Sequence, residues 1–142
     1  MKRLLQGVSV YQRSLDREIV STRVRGHDMA RTYVISGSAS GIGAATKRLL
    51  EEAGHKVVGV DLEDAAVEAD LSTPEGRKEA ASKAVEAAGG SVDAVIACAG
   101  LAHPIAKTVS VNYFGVTEFF EAMAPTLANS DAPRAVTISS MA

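Results

Sequence analysis

The chain has 142 residues, 46% hydrophobic and 23% charged, a balance that fits one folded domain and excludes a disordered or fibrous chain. Its net charge of −2 is unevenly spread: residues 1–28 carry six Lys/Arg against three Asp/Glu, and residues 29–142 carry nine against fourteen, so the acidic body argues against nucleic acid or an anionic membrane as partner. No run of about 18 apolar residues offers a membrane span, and the single cysteine, Cys98, excludes an internal disulfide framework and leads us to expect a reducing, cytoplasmic setting.

Residues 1–28 differ from the rest. They lack the apolar core of a secretory signal, and Asp16 and Glu18 interrupt the Arg/Ser content that a transit peptide would show. They are expected to be a disordered extension or to precede the natural start, which Met29-Ala30-Arg31 resembles. The folded domain is therefore placed at 29–142.

Thr32-Tyr33-Val34-Ile35 is an apolar β-type run leading into Ser36-Gly37-Ser38-Ala39-Ser40-Gly41-Ile42-Gly43. Glycines at a strand-to-helix junction let a backbone approach a ligand closely, and the helix that follows aims free N–H groups and its positive dipole end at that point. A phosphate or pyrophosphate is the expected occupant. The first helix is predicted from about Gly41 to Ala53, with Ile42, Ala45, Leu49 and Leu50 at helical spacing, Lys47, Arg48, Glu51 and Glu52 toward water, and Gly54 as the stop. Lys56–Val60 reads as a strand buried on both faces. Asp61 ends it, 18 residues beyond Gly43, where a dinucleotide fold needs a carboxylate for the adenosine ribose hydroxyls.

Val67-Glu68-Ala69 is a brief third strand running into Asp70-Leu71. Ser72-Thr73-Pro74-Glu75 reads as a capping box opened by Ser72, followed by an alanine-rich helix to Ala88 that stops at Gly89-Gly90. Val92 to Cys98 is a fourth apolar strand, and Ala99-Gly100 at its carboxyl end leaves room for a ligand against the sheet. A long helix is expected from about Ser110 to Ala128, with Val111, Phe114, Phe119, Ala122, Met123 and Leu127 as its apolar residues and Pro125 kinking or ending it. Ala135 to Ser140 is the fifth strand. The βαβαβαβ alternation implies an α/β fold with a doubly wound parallel sheet.

Residues 29–142 resemble the N-terminal half of a short-chain dehydrogenase/reductase. The spacing Gly37-x-x-x-Gly41-x-Gly43 is that family's, and Asp61, Asp70-Leu71, Asn112 in Val111-Asn112-Tyr113-Phe114-Gly115, and Ile138-Ser139-Ser140 match in order. The run around Gly37, the segment from Asp70 to Lys78 and the short loop from Cys98 to Gly115 are most similar to bacterial members that act on 3α-hydroxysteroids and carbonyl compounds. The resemblance implies a Rossmann-type sheet interrupted after its fifth strand. It assigns Gly37, Ser40, Gly41, Ile42 and Gly43 to the cofactor pyrophosphate, Asp61 and Leu62 to the ribose, Asp70 and Leu71 to the adenine, and Cys98, Ala99 and Gly100 to the cofactor's flank. Asp61 favours NAD over NADP, since like charges 4 Å apart repel by roughly 4 kcal/mol at an effective dielectric near 20, and no Lys or Arg stands among Ser38, Ala39 and Ser40 to offset it.

For catalysis the resemblance assigns Ser140 to a hydrogen bond with the reacting carbonyl oxygen, and Asn112 to a proton relay through its backbone carbonyl. The family's proton donor, a tyrosine in Tyr-x-x-x-Lys, is absent: four residues after Tyr11, Tyr33 and Tyr113 stand Leu15, Gly37 and Thr117. Ala97-Cys98 also departs from the family's Asn-Asn, and Cys98 reads as a small apolar residue rather than a nucleophile. His27, His55 and His103 are scattered and suggest surface or loop positions and no metal site. The expectation is the cofactor part of an NAD-dependent oxidoreductase for a small secondary alcohol or ketone, inactive by itself and homo-oligomeric when whole. The alternative is a dinucleotide-binding module without catalysis. The fifth strand, lacking a neighbour, is expected to be an aggregation-prone apolar edge.

Overall fold

A computed structural model describes residues 29–140; the reading of 1–28 as an extension and the position of His27 lie outside the described residues. Five strands form one parallel sheet: β1 (Thr32–Ser36), β2 (Lys56–Asp61), β3 (Val67–Glu68), β4 (Ala94–Ala97) and β5 (Arg134–Thr137), in the order β3-β2-β1-β4-β5. Helix α1 (Gly41–Glu52) joins β1 to β2, and α2 (Pro74–Ala88) crosses from β3 to β4. Between β4 and β5 runs one helical stretch of three parts: α3 (Ala106–Val109), a π-helical turn (Ser110–Phe114) and α4 (Gly115–Leu127). The order of strands reverses between β1 and β4, which makes the sheet doubly wound, as its alternation implied.

Register decides what each face carries. Val34 pairs with Val58 and Val95, so these three point the same way. With Val60 and Val67 they meet Ala80, Ala81 and Ala84 of α2 and Phe119, Met123 and Leu127 of α4 in the main core. Alternation turns Gly59 and Asp61 to the opposite face. There a Cβ on Gly59 would meet the Ser38 side chain, and the Lys47 amine lies close by, so α1 covers that face.

Three local readings are corrected. Ile42 and Leu49 are 60% and 54% exposed, and Gly43 is the only buried residue of α1. Of the Ile42-Ala45-Leu49-Leu50 stripe only Leu50 is half-buried; the helix closes on the loop before it through Gly43, where only a glycine fits, and approaches Gly59 of the sheet with Lys47. Thr73, not Ser72, caps α2, its hydroxyl accepting from the Gly76 N–H at 3.0 Å. Proline at the first helical position suits that register, and the Ser72 amide donates instead to Asp70 Oδ1 at 2.9 Å. The third correction concerns Phe114, which is exposed. The π-turn inserts a residue, so buried side chains follow at four-residue steps, Val111, Gly115, Phe119, Met123 and Leu127, leaving Phe114 and Ala122 outside. Pro125 falls within the last turn, where the amide it lacks leaves the Glu121 carbonyl without its intrahelical donor, and the helix ends two residues later.

Strands β4 and β5 are each shorter than their apolar runs. All four residues of β5 are exposed, and so is Ile138; Val136 and Ile138 belong to the face that carries Gly59, at the edge beyond the part that α1 covers. Asp93 fastens this side of the sheet. Its Oδ2 accepts from the Thr32 N–H at 2.9 Å, its Oδ1 from the Ser130 hydroxyl at 2.7 Å, and its carbonyl from the Arg134 N–H at 3.0 Å. The Ser130 bond, then the Thr32 amide and the Arg31 charge, hold its carboxyl below the ordinary 3.8. A carboxyl lowered in the folded state adds stability above its unfolded value and loses it as pH falls through the folded one. The melting temperature is therefore expected to fall steeply below about pH 4. Asp93→Asn is expected to flatten that fall and to cost about 1–3 kcal/mol at pH 7, both readable from melts across pH.

Candidate functional site

A cavity of about 470 Å³ opens at the carboxyl ends of the strands, the position where ligands bind open α/β sheets. Its first wall is the loop from β1 into α1. Gly37 has φ +71 and lies against β4, where an added Cβ would stand 2.6 Å from the Ala99 nitrogen. A Cβ on Gly43 would collide with the Gly37 carbonyl. Both positions therefore require glycine, and the loop folds flat against the sheet with Gly37, Ser40, Gly41, Ile42 and Gly43 lining the cavity. Ser40 caps α1 in extended conformation with no side-chain bond to the first turn, so the N–H groups of that turn face the cavity without a side-chain acceptor.

Asp61 and Leu62 form the next wall. Asp61 Oδ2 accepts from the Ala39 N–H at 2.9 Å, and Oδ1 from the Leu62 N–H at 2.7 Å. The carboxylate thus pins the glycine loop to β2. A carboxylate oxygen has two acceptor positions, so each retains capacity for a further donor.

Asp70 and Leu71 line the far end. The Ser72 hydroxyl and amide, followed by the Lys107 charge, hold the Asp70 carboxyl below its ordinary value. The Lys107 amine stands 3.6 Å from Asp70 Oδ2, so this pair reaches from one wall of the cavity to the other. Cys98, Ala99 and Gly100 close the side under β4. The Cys98 thiol is half-buried and raised by burial, which keeps it protonated and unreactive near neutrality. Every residue assigned above to a cofactor lines this one cavity.

Asn112 stands in the π-turn, just outside the lining. Its Oδ1 accepts from the Leu101 N–H at 2.8 Å and its Nδ2 donates to the Leu101 carbonyl at 2.9 Å. The side chain thus clamps the loop after β4, a task distinct from the backbone-carbonyl role read from the resemblance, and the π-turn marks where the helix is distorted to reach it. Ser140 follows β5 and is exposed, outside the lining residues. The lining comes from the ends of β1 to β4, and β5 lies one strand beyond. The sequence reading missed Ala69, Leu101, His103, Ile105, Lys107 and Val111, which also line the cavity. His103 is a loop residue as expected, but it faces this cavity. The available signal was the shortness of the connection from Gly100 to Asn112, which holds the loop over the strand ends. Among the described residues no group of His, Cys, Asp and Glu could hold a metal, and no helix is long and apolar enough to cross a membrane.

The family described as short chain dehydrogenase matches residues 31–142. The chain is 50% identical over 112 residues to a 3-alpha-hydroxysteroid dehydrogenase/carbonyl reductase of Comamonas testosteroni, covering 77% of this chain and 44% of that protein. It is 40% identical over 99 residues to a coniferyl-alcohol dehydrogenase of a Pseudomonas strain, covering 66% of this chain and 38% of the relative. The chain thus spans less than half the length of these relatives. Among solved structures, the 3-alpha-hydroxysteroid dehydrogenase of Pseudomonas sp. B-0831, complexed with NADH, superposes with a TM-score of 0.74 at 44% identity, over 78% of this chain and 44% of that one. The aldohexose dehydrogenase of Thermoplasma acidophilum shares the fold, with a TM-score of 0.70 at 23% identity over 78% of this chain and 49% of that one. With the glycine loop, the parallel sheet and the helices in this arrangement, the chain belongs to the short-chain dehydrogenase family.

Proposed function

We propose that residues 29–142 are the cofactor-binding domain of an NAD-dependent oxidoreductase acting on a secondary alcohol or ketone, with 3α-hydroxysteroids and related ring carbonyls as the substrate class. The observation that carries the reading is the single cavity in which the glycine loop, Asp61, the Asp70-Leu71 pair and Ala99-Gly100 meet. A dinucleotide fits what stands there. The uncapped first turn of α1 suits a pyrophosphate, the free acceptor positions of Asp61 suit ribose hydroxyls, and the flat approach of Gly37 to Ala99 leaves room beside the sheet.

A nicotinamide cofactor, when bound, supplies or accepts the hydride. This chain's own residues bind and orient. Asp61 selects against a 2′-phosphate by charge, Asn112 holds the loop that covers the strand ends, and Ser140 at the carboxyl end of β5 donates to the substrate oxygen. The proton donor of a Tyr-x-x-x-Lys pair is not among the 142 residues. The whole protein is proposed to be a cytoplasmic homo-oligomer with its substrate a small molecule.

Titration of the chain with NADH and NADPH tests the cofactor. NADH is expected to bind at least about tenfold more tightly, a difference of roughly 1.4 kcal/mol, smaller than the bare Coulomb figure because Asp61 is partly solvated. Asp61→Asn, which keeps one acceptor for the Ala39 or Leu62 amide, is expected to bring the ratio within about threefold. Equal binding of the two cofactors by the unaltered chain would sink the NAD assignment.

Turnover is the second measurement. The purified chain is expected to oxidise secondary alcohols at least about 10²–10⁴-fold more slowly than whole relatives, the usual contribution of a positioned acid/base group. Relative-like rates would show that another residue supplies the proton.

A further inference from the structure

Arg77 is the one buried charged residue among the described residues, its side chain 5% exposed. It sits in the second turn of α2, which closes tightly on the end of β3: a Cβ on Gly76 would collide with the Asp70 carbonyl. From there its guanidinium reaches three partners. Nη1 donates to the Leu71 carbonyl at 3.0 Å, Nε donates to Glu118 Oε2 of α4 at 2.6 Å, and the group lies 5.7 Å from the centre of the Phe114 ring. Leu71 is a wall of the cavity, while Phe114 ends the π-turn that carries Asn112.

Helix-to-helix attachment does not explain such a residue. Apolar side chains of similar volume join helices at least as well as a buried ion pair does, and Phe119 and Met123 already join α4 to the α2 face of the sheet. The planar fork adds direction: it fixes two acceptors at set angles, which a lysine or an apolar group cannot do. One acceptor is the cavity wall and the other is the helix bearing Asn112.

We propose that Arg77 is a positioning residue, which holds the Leu71 carbonyl so that the Asp70-Leu71 wall stands ready for the adenine end of the cofactor. This rests on the cofactor reading above. Glu118 aims the guanidinium, and the Leu71 bond sets the wall.

Calorimetric titration with NADH and thermal melts of four proteins test it: the unaltered chain, Arg77→Met, Arg77→Lys and Glu118→Gln. Arg77→Met is expected to weaken NADH binding about tenfold, as loss of a charge-assisted hydrogen bond would. Arg77→Lys, whose amine reaches one acceptor but not both, is expected to fall between the two and serves in place of Arg77→Met if that variant does not fold. Glu118→Gln keeps the Leu71 bond. It is expected to melt at a lower temperature yet to bind NADH within about twofold of the unaltered chain. That separation of affinity from stability is what a purely structural arginine would not produce. Arg77 variants that bind NADH within twofold, or a Glu118→Gln that loses as much affinity as Arg77→Met, would overturn the inference while leaving the cofactor reading intact. An unaltered chain that binds no NADH would overturn the cofactor reading, and this inference with it.

Discussion

Gly43→Ala is expected to reduce NADH binding at least about a hundredfold, which is roughly 2.7 kcal/mol, while the sheet stays folded. The added methyl would occupy the Gly37 carbonyl oxygen's place, and that carbonyl belongs to a turn held at φ +71 against Ala99. Either the loop lifts from β4 or the first turn of α1 moves away from it. In both cases the N–H groups of that turn no longer converge with Asp61 on one cavity. Overpacking of this kind costs about 1–3 kcal/mol, so the variant is expected to melt lower but cooperatively. Circular dichroism and titration of the same sample separate the two effects. Unchanged affinity would show that the loop relaxes freely and that its flat approach is not what binds the cofactor.

The largest loss of stability is expected from Phe119→Ala, about 3–5 kcal/mol. Phe119 is fully buried and is the largest fully buried side chain among the described residues. It stands at the centre of the four-residue ladder of α4 and packs where α2, α4 and the sheet meet. Domains of this size have total stabilities of only about 5–15 kcal/mol, so the loss removes a large share. Urea denaturation of the two proteins is the measurement, and Phe119→Leu is expected to lose less because the side-chain volume is better kept. A loss under about 1 kcal/mol would mean that α4 is not docked as described.

The glycine loop and the sheet were legible because their residues have few alternatives. Gly37 and Gly43 stand where a Cβ has no room, and Asp61 follows at the distance that one helix and one strand span. The β-strands were legible in number and order because an apolar run bounded by Gly and Asp has little else to form. Their lengths were not, since Val92 and Cys98 are apolar yet fall outside β4, although the Cys98 amide still donates to the Ser36 carbonyl at 3.0 Å. Periodicity misled in α1 and in the helix after Gly100. Ile42 and Leu49 repeat at helical spacing but face outward, because packing is set by which side chain is small enough to let the backbones meet. A π-turn, which changes the period within one helix, leaves no mark in composition.

The charged residues divide along the same line. Asp61 announced itself by place, although its grip on the Ala39 and Leu62 amides did not. Arg77, Lys107 and His103 looked like ordinary helix-surface and loop residues, and nothing within several residues of them distinguishes them from Lys78 or Lys83. Arg77 becomes buried only because α4 folds back over α2 and brings Glu118 and Phe114 to it. Lys107 meets Asp70 because the short connection after Gly100 returns across the strand ends. Backbone conformation and apolar pattern are local properties, encoded within a turn or a strand, and they specified the α/β alternation, the glycine cradle and the acid after β2. Which faces are covered, which charges are paired and which side chains close the cavity depend on contacts between segments some 40 residues apart, such as Arg77 with Glu118. Those contacts exist only once the sheet has set the helices side by side.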